Sequence, residues 1–221
     1  MSTDEQKPSQ PAKPKLRALH RTTAAYRSEH EGHGFSDISE GYYLSAVMLH
    51  ELGRDEATKV PANTSKYIPP SIVLYCCALD AYLNSILGRT QLITDRQELV
   101  QRSYEVATGS LGAEKMRDFV WILQLQNLVD EATIDKISIL ANLRGEVVHF
   151  VPVPNRQSEW RGRVLEAVRK AGVPPDQFQM LDSQAAMCRV ELADWSRGLV
   201  DHVTAVIQNH FGWQPAFRAA D

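Results

Sequence analysis

TIDKISILANLRGEVVHFVPVP, residues 133 to 154, decides whether this chain contains strands. Its last part, VVHFVPV at 147 to 153, is the one run β-branched enough to suggest an extended segment. Pro152 and Pro154 argue against a central strand there, because proline removes a ladder hydrogen bond. Everything before it has a helical period. At about 100° per residue, Ile134, Ile137, Leu140, Ala141, Val147 and Val148 share one broad arc, with Arg144 near its middle. His149 falls about 140° round from Arg144, beside the polar Asn142 and Ser138. The stretch therefore predicts a helix capped by Thr133 and stopped by the two prolines.

The same reading extends along the chain. A helix is expected from a Ser36 cap to Gly53, and a very apolar one opened by Pro69-Pro70-Ser71 and closed by Gly88. A third is capped by Thr94 and runs to about Thr108, and a fourth covers about Ala113 to Leu128. After the helix at 133, a sixth spans Ser158 to Ala171, and the last runs from about Ser183 to His210 with Gly212 beyond it. The expected fold is all-α: an antiparallel bundle of about six to seven helices.

Residues 1–33 are rich in Pro, Lys, Ser and Gln with no apolar period, and are expected to be a mobile basic arm. Residues 34–214 are expected to be a single helical domain, with a core over about 36–155 and a helical extension over about 158–212.

Composition excludes several classes. A net charge of −3 excludes nucleic-acid binding through overall positive charge, so any such contact must be local. One local source is the arm, where Lys7, Lys13, Lys15, Arg17, Arg21 and Arg27 have no acidic residue among them. Trp160, Arg161 and Arg163 are another, if the tryptophan does not simply anchor packing. The three cysteines form neither a disulfide framework nor a zinc spacing, and the opening residues lack the apolar core of a signal peptide. SIVLYCCALDAYLNSIL is interrupted by Asp80 and Asn84, so it reads as a buried helix and no membrane partner is expected. A cytoplasmic location follows as the expectation.

Metal, cofactor and covalent chemistry find little footing. His50 has Arg54, not a second histidine, four residues on, and His30 and His33 stand in an apparent loop without a third ligand. Phosphate-binding glycine loops and the GxSxG elbow are absent from the sequence, and Cys76 and Cys77 lie inside the most apolar helix. No cofactor and no metal are expected.

Arg144 is then the residue that needs explaining. A guanidinium stays charged, and an unpaired charge in a dry interior costs several kcal/mol. Asp80 and Asn84, neighbours four apart on the apolar helix, are the best candidates to receive it. Alternatively Arg144 faces its own copy and a substrate phosphate across a dimer seam; the two answers are compatible. An arginine that stabilises charge on phosphorus and a histidine that moves protons are the minimum kit for cleaving RNA through its own 2′-hydroxyl.

RGEVVH, Arg144 to His149, with ALDAYLN in the preceding apolar helix, resembles the HEPN family of small helical bundles, whose signature is an arginine, four to six residues, then a histidine. Arg27 to His33 and Arg197 to His202 match that spacing too, but one lies in the arm and the other on the polar side of the last helix. The resemblance implies a metal-independent endoribonuclease whose composite site forms where two motifs meet in a homodimer, with Arg144 and His149 catalytic; from their own placement, Asp80 and Asn84 would orient the arginine and Glu146 would support the site. The resemblance also implies RNA as a partner, a toxin or phage-defence role, and an antitoxin or regulatory protein as a further partner. Some members only bind, so a non-catalytic module that binds RNA, nucleotide or a protein is the other reading. Family motifs commonly place a polar residue directly after the arginine, and this chain has Gly145.

Overall fold

A computed structural model describes residues 38–60, 63–90, 94–148, 169–171 and 186–212 of the 221. Six long helices order them: α1 Ile38–Ala57, α2 Ile68–Leu87, α3 Gln97–Ala107, α4 Ala113–Ile122, α5 Glu131–Val148 and α6 Val190–Phe211. Among the described residues the only β pairing is an isolated antiparallel bridge between Thr64 and Arg189. The fold is an all-helical bundle. The expected arm, the helix expected over Ser158 to Ala171 apart from its last residues, and the stretch beyond Gly212 lie outside the described residues.

α2 is the hub, touching α1, α3, α5 and α6. Its sequence explains the position: Ile68, Ile72, Tyr75, Cys76, Leu79 and Leu83 all lose essentially all contact with solvent. Each fully buried large side chain contributes roughly 1.5–3 kcal/mol. A helix apolar around most of its circumference is stable in water only when other helices cover it. α2 is long and apolar enough to cross a membrane by length and composition, and 56% of that window is buried inside the bundle.

Several boundaries differ from the sequence expectation, each for a local reason. α1 does not stop at Gly53 but runs on to Ala57. Gly53 is instead a contact point: a Cβ there would meet Ile68 Cδ1 at 2.6 Å, so the glycine lets α1 lie close against the start of α2. Thr94 does not cap α3; its hydroxyl accepts from the Arg96 backbone, and the helix begins at Gln97. α4 ends at Ile122, not Leu128, because the chain turns through Gln124 at φ 57 and drives Leu125 into the core. Asp130, not Thr133, caps α5: its carboxylate accepts the Thr133 backbone N–H at 2.8 Å, and the Thr133 side chain followed by that N–H holds it below the usual aspartate range. Gly212 closes α6 in the left-handed conformation expected of it.

The seam between the α1–α2 connection and the start of α6 is polar. Arg189, almost fully buried, donates to Glu191 through Nε at 3.0 Å and Nη2 at 2.8 Å, and Asn63 adds a third bond to that carboxylate at 2.9 Å. Burial raises the Glu191 value, yet a hydrogen bond from its own backbone N–H, then those from Arg189 and Asn63, hold it below the ordinary one.

Candidate functional site

Arg144 stands on the last turns of α5. Thr133, Ile134, Ile137, Leu140 and Leu143 form the buried side of the helix. Arg144 keeps the middle of that arc, but from Gly145 onward every described residue of α5 is half-buried or exposed, and Val148, expected in the core, is 56% exposed. Leu143 takes the core place that the sequence pattern had given to Val148. The helix leaves the core about where the arginine sits, so a half-buried guanidinium can reach the edge of the bundle.

Its neighbours on α2 are thiols. Burial pushes Cys76 up to about 12 and raises Cys77, and in both cases the charge of Arg144 is the main opposing influence. Both thiols stay protonated at neutral pH, so neither supplies the arginine with a counter-ion. Among the described residues, Arg144 forms no ion pair and no side-chain hydrogen bond.

The expected tie from Asp80 to Arg144 is not made. Asp80 belongs to Lys115: Nζ donates to Oδ1 at 2.8 Å and to the Gly109 carbonyl at 2.7 Å, with the Ala107 carbonyl at 3.5 Å. The lysine side chain is only 3% exposed, so its charge must be met inside the protein, and the carboxylate nearest to it is drawn there. Lys115 also sits at the C-terminal end of α3, where a cation is favoured. Asn84 does not hold Arg144 either; its Oδ1 is buried with no hydrogen-bond partner. Glu146 is half-buried two residues beyond the arginine, and His149 lies outside the described residues. A side chain at 145 would meet nothing within 4 Å, so packing does not impose Gly145.

A second polar cluster escaped the sequence reading. His50, fully buried on α1, places Nδ1 3.1 Å from the Tyr75 hydroxyl and Nε2 3.2 Å from Asp194 Oδ1. A neutral imidazole fits both: it accepts from Tyr75 and donates to Asp194. Arg54 donates to the same Asp194 oxygen at 2.6 Å, and Tyr43 donates to Asp201 at 2.6 Å. Arg197 is not the ordinary surface arginine it resembles in sequence; it lies 3.5 Å from Glu51 and 3.8 Å from Asp201, joining α1 to α6. Burial, then Asp201, pushes Tyr43 up to about 12. Burial lowers His50 below 6.5, against the pull of Asp194. The signal in the sequence is His50 and Arg54 at i and i+4, which places both on one side of α1.

The two clusters use different sides of α2. Tyr75 and Cys77, two residues apart, point about 200° apart on the helix, so the His50 network and the Arg144 environment are not one site. Comparison of the chain with protein-family models, with curated proteins and with solved structures returns no match.

Proposed function

We propose that this protein is a HEPN-like, metal-independent endoribonuclease of the cytoplasm, acting as a homodimer in which two Arg144 and His149 pairs form a composite site. The observation that carries the proposal is a half-buried Arg144 that the described residues leave without an ion pair, while the carboxylate best placed to neutralise it is engaged by Lys115. A guanidinium held at the edge of a core and left uncompensated suits an anionic ligand such as a phosphodiester.

In the proposed reaction one His149 takes the proton of the RNA 2′-hydroxyl as the oxygen attacks phosphorus. The partner copy's histidine protonates the departing 5′-oxygen, giving a 2′,3′-cyclic phosphate and a 5′-hydroxyl. Arg144 stabilises the extra charge on the phosphorane-like transition state. Asn84 lies one helical turn from Asp80 and is the remaining candidate to orient the arginine when ligand binds. A toxin or phage-defence role, held in check by an antitoxin or regulatory protein, belongs to the same proposal.

The test is incubation of the protein with single-stranded and structured RNA in chelator, beside the Arg144→Ala/His149→Ala double variant, with analysis of fragment ends. Cleavage by the wild type alone, leaving cyclic phosphates, supports the proposal. RNA binding that depends on Arg144 without cleavage by either protein points instead to a non-catalytic binding module.

A further inference from the structure

α1 has two apolar faces and the bundle uses one. Tyr43, Ala46, His50 and Gly53 turn inward. On the outward side Ile38, Tyr42, Leu44, Met48 and Leu52 are each 37 to 65% exposed. With Gly41, Ser45 and Leu49 they fill an arc of about 160° that contains no charged residue between 38 and 52. Half of the ten large apolar residues exposed among the described residues lie on this one helix, so they form a patch rather than a scatter.

The rim of the patch selects its occupant. Glu40, Glu51 and Asp55 line one edge. Arg54 at 3.6 Å and Arg197 at 3.5 Å already meet Glu51, while Glu40 and Asp55 have no ion pair among the described residues and carry the uncompensated charge of the edge. A second copy paired antiparallel would set this acidic edge against itself, which costs affinity. A basic segment with a few apolar side chains fits.

The chain carries one next to the patch. Residues 13–27 contain Lys13, Lys15, Arg17, Arg21 and Arg27 with Leu16, Leu19 and Tyr26 among them, and no acidic residue. The ten residues 28–37 that connect them to α1 can span up to about 35 Å, more than the roughly 30 Å length of a 20-residue helix. The whole face is within reach.

We propose that residues 13–27 dock on the outer face of α1 of the same chain, with Leu16, Leu19 and Tyr26 on the Leu44, Met48 and Leu52 surface and the arginines along the Glu40 to Asp55 edge. The tether supplies an effective concentration on the order of millimolar, so modest contacts suffice.

The test uses the full chain. Tryptic cleavage after Arg17, Arg21 and Arg27 is timed for wild type and for Met48→Ser/Leu52→Ser, which removes apolar contact at exposed positions without adding charge. Cleavage about fivefold or more faster in the variant is expected, with the gap closing as salt is raised. Equal rates at low salt overturn the proposal. In the complementary variant, Leu16→Ser/Leu19→Ser/Tyr26→Ser, dilute hydrogen peroxide should oxidise Met48 faster than in wild type, and an unchanged rate overturns it equally. Protection that grows with protein concentration as the chain becomes a dimer in sedimentation would assign the face to a second copy and also overturn it.

Discussion

Lys115 Nζ donates to Asp80 Oδ1 at 2.8 Å, so the carboxylate expected to receive Arg144 is engaged by another cation. The ammonium has three acceptors from three directions, Asp80 and the Ala107 and Gly109 carbonyls, so it fastens the α3–α4 turn to the side of α2. Removing it leaves a partly buried carboxylate and two carbonyls without a donor. Lys115→Ala should therefore cost about 3–5 kcal/mol, as breaking a buried pair does. Asp80→Asn, which leaves Lys115 its carbonyls, should cost clearly less. Urea unfolding of both variants measures the order, and an equal or reversed order would show that the carbonyls alone do not hold the lysine.

Gly53 tests the closeness of α1 and α2. Alanine would add helix propensity worth roughly 1 kcal/mol, but its Cβ would lie 2.6 Å from Ile68 Cδ1 and 3.2 Å from Cγ1 of a fully buried side chain. Overpacking of this kind costs about 1–3 kcal/mol, so Gly53→Ala should be net destabilising. Ile68→Val removes Cδ1 and should rescue most of the loss, which a double-mutant cycle reads as a coupling between the two positions. A purely stabilising Gly53→Ala would mean that the helices separate without penalty.

His50 makes the α1–α6 seam sensitive to acid. Its folded value lies below the ordinary 6.5, chiefly through burial, so the folded state prefers the neutral ring. The groups that face it are Tyr43, Glu51 and Arg54 on α1, Tyr75 on α2, and Asp194, Arg197 and Asp201 on α6. The unfolded chain takes up the proton first, so stability is complete above 6.5 and falls as pH drops through that value toward the folded one. Protonation would also force Tyr75, which donates to the neutral ring, to give up that bond. Unfolding of wild type and His50→Gln across pH 5 to 8 should show stability differences that depend on pH in this window; parallel curves would mean that the ring titrates as it does in the unfolded chain.

The fold class was legible because the period of the apolar residues survives even where individual boundaries do not. The α5 pattern gave Ile134, Ile137 and Leu140 as core, and they are buried. It misassigned Val148, since a helical period cannot report where a helix emerges from its neighbours. Asp130 was overlooked as a cap because Thr133 suits the same role in sequence, and only the bond between them decides. For the site, placing Arg144 on the side facing the bundle was readable from angle alone. Its partner was not, because Lys115 is 35 residues from Asp80 and nothing local announces a buried lysine. The His50 network was hidden for the same reason: Tyr75, Asp194 and Arg197 come from two other helices.

Arg144 gives the sharpest separation of structure from chemistry. A buried arginine held by a carboxylate would, on truncation, leave that carboxylate stranded and the protein several kcal/mol less stable. Here no ion pair among the described residues would be broken, so Arg144→Ala should change stability by no more than about 1 kcal/mol. If Arg144 contacts phosphate as proposed, the same variant should lose cleavage by a factor of about 10² to 10³, and Arg144→Lys should not restore it, because an ammonium cannot reproduce the planar fork. His149→Ala should abolish turnover with the melting curve unchanged. Measuring thermal unfolding and metal-free RNA cleavage on the same preparations separates the cases: lost stability with intact cleavage would make Arg144 a structural residue, and lost cleavage with intact stability would place it at the phosphate.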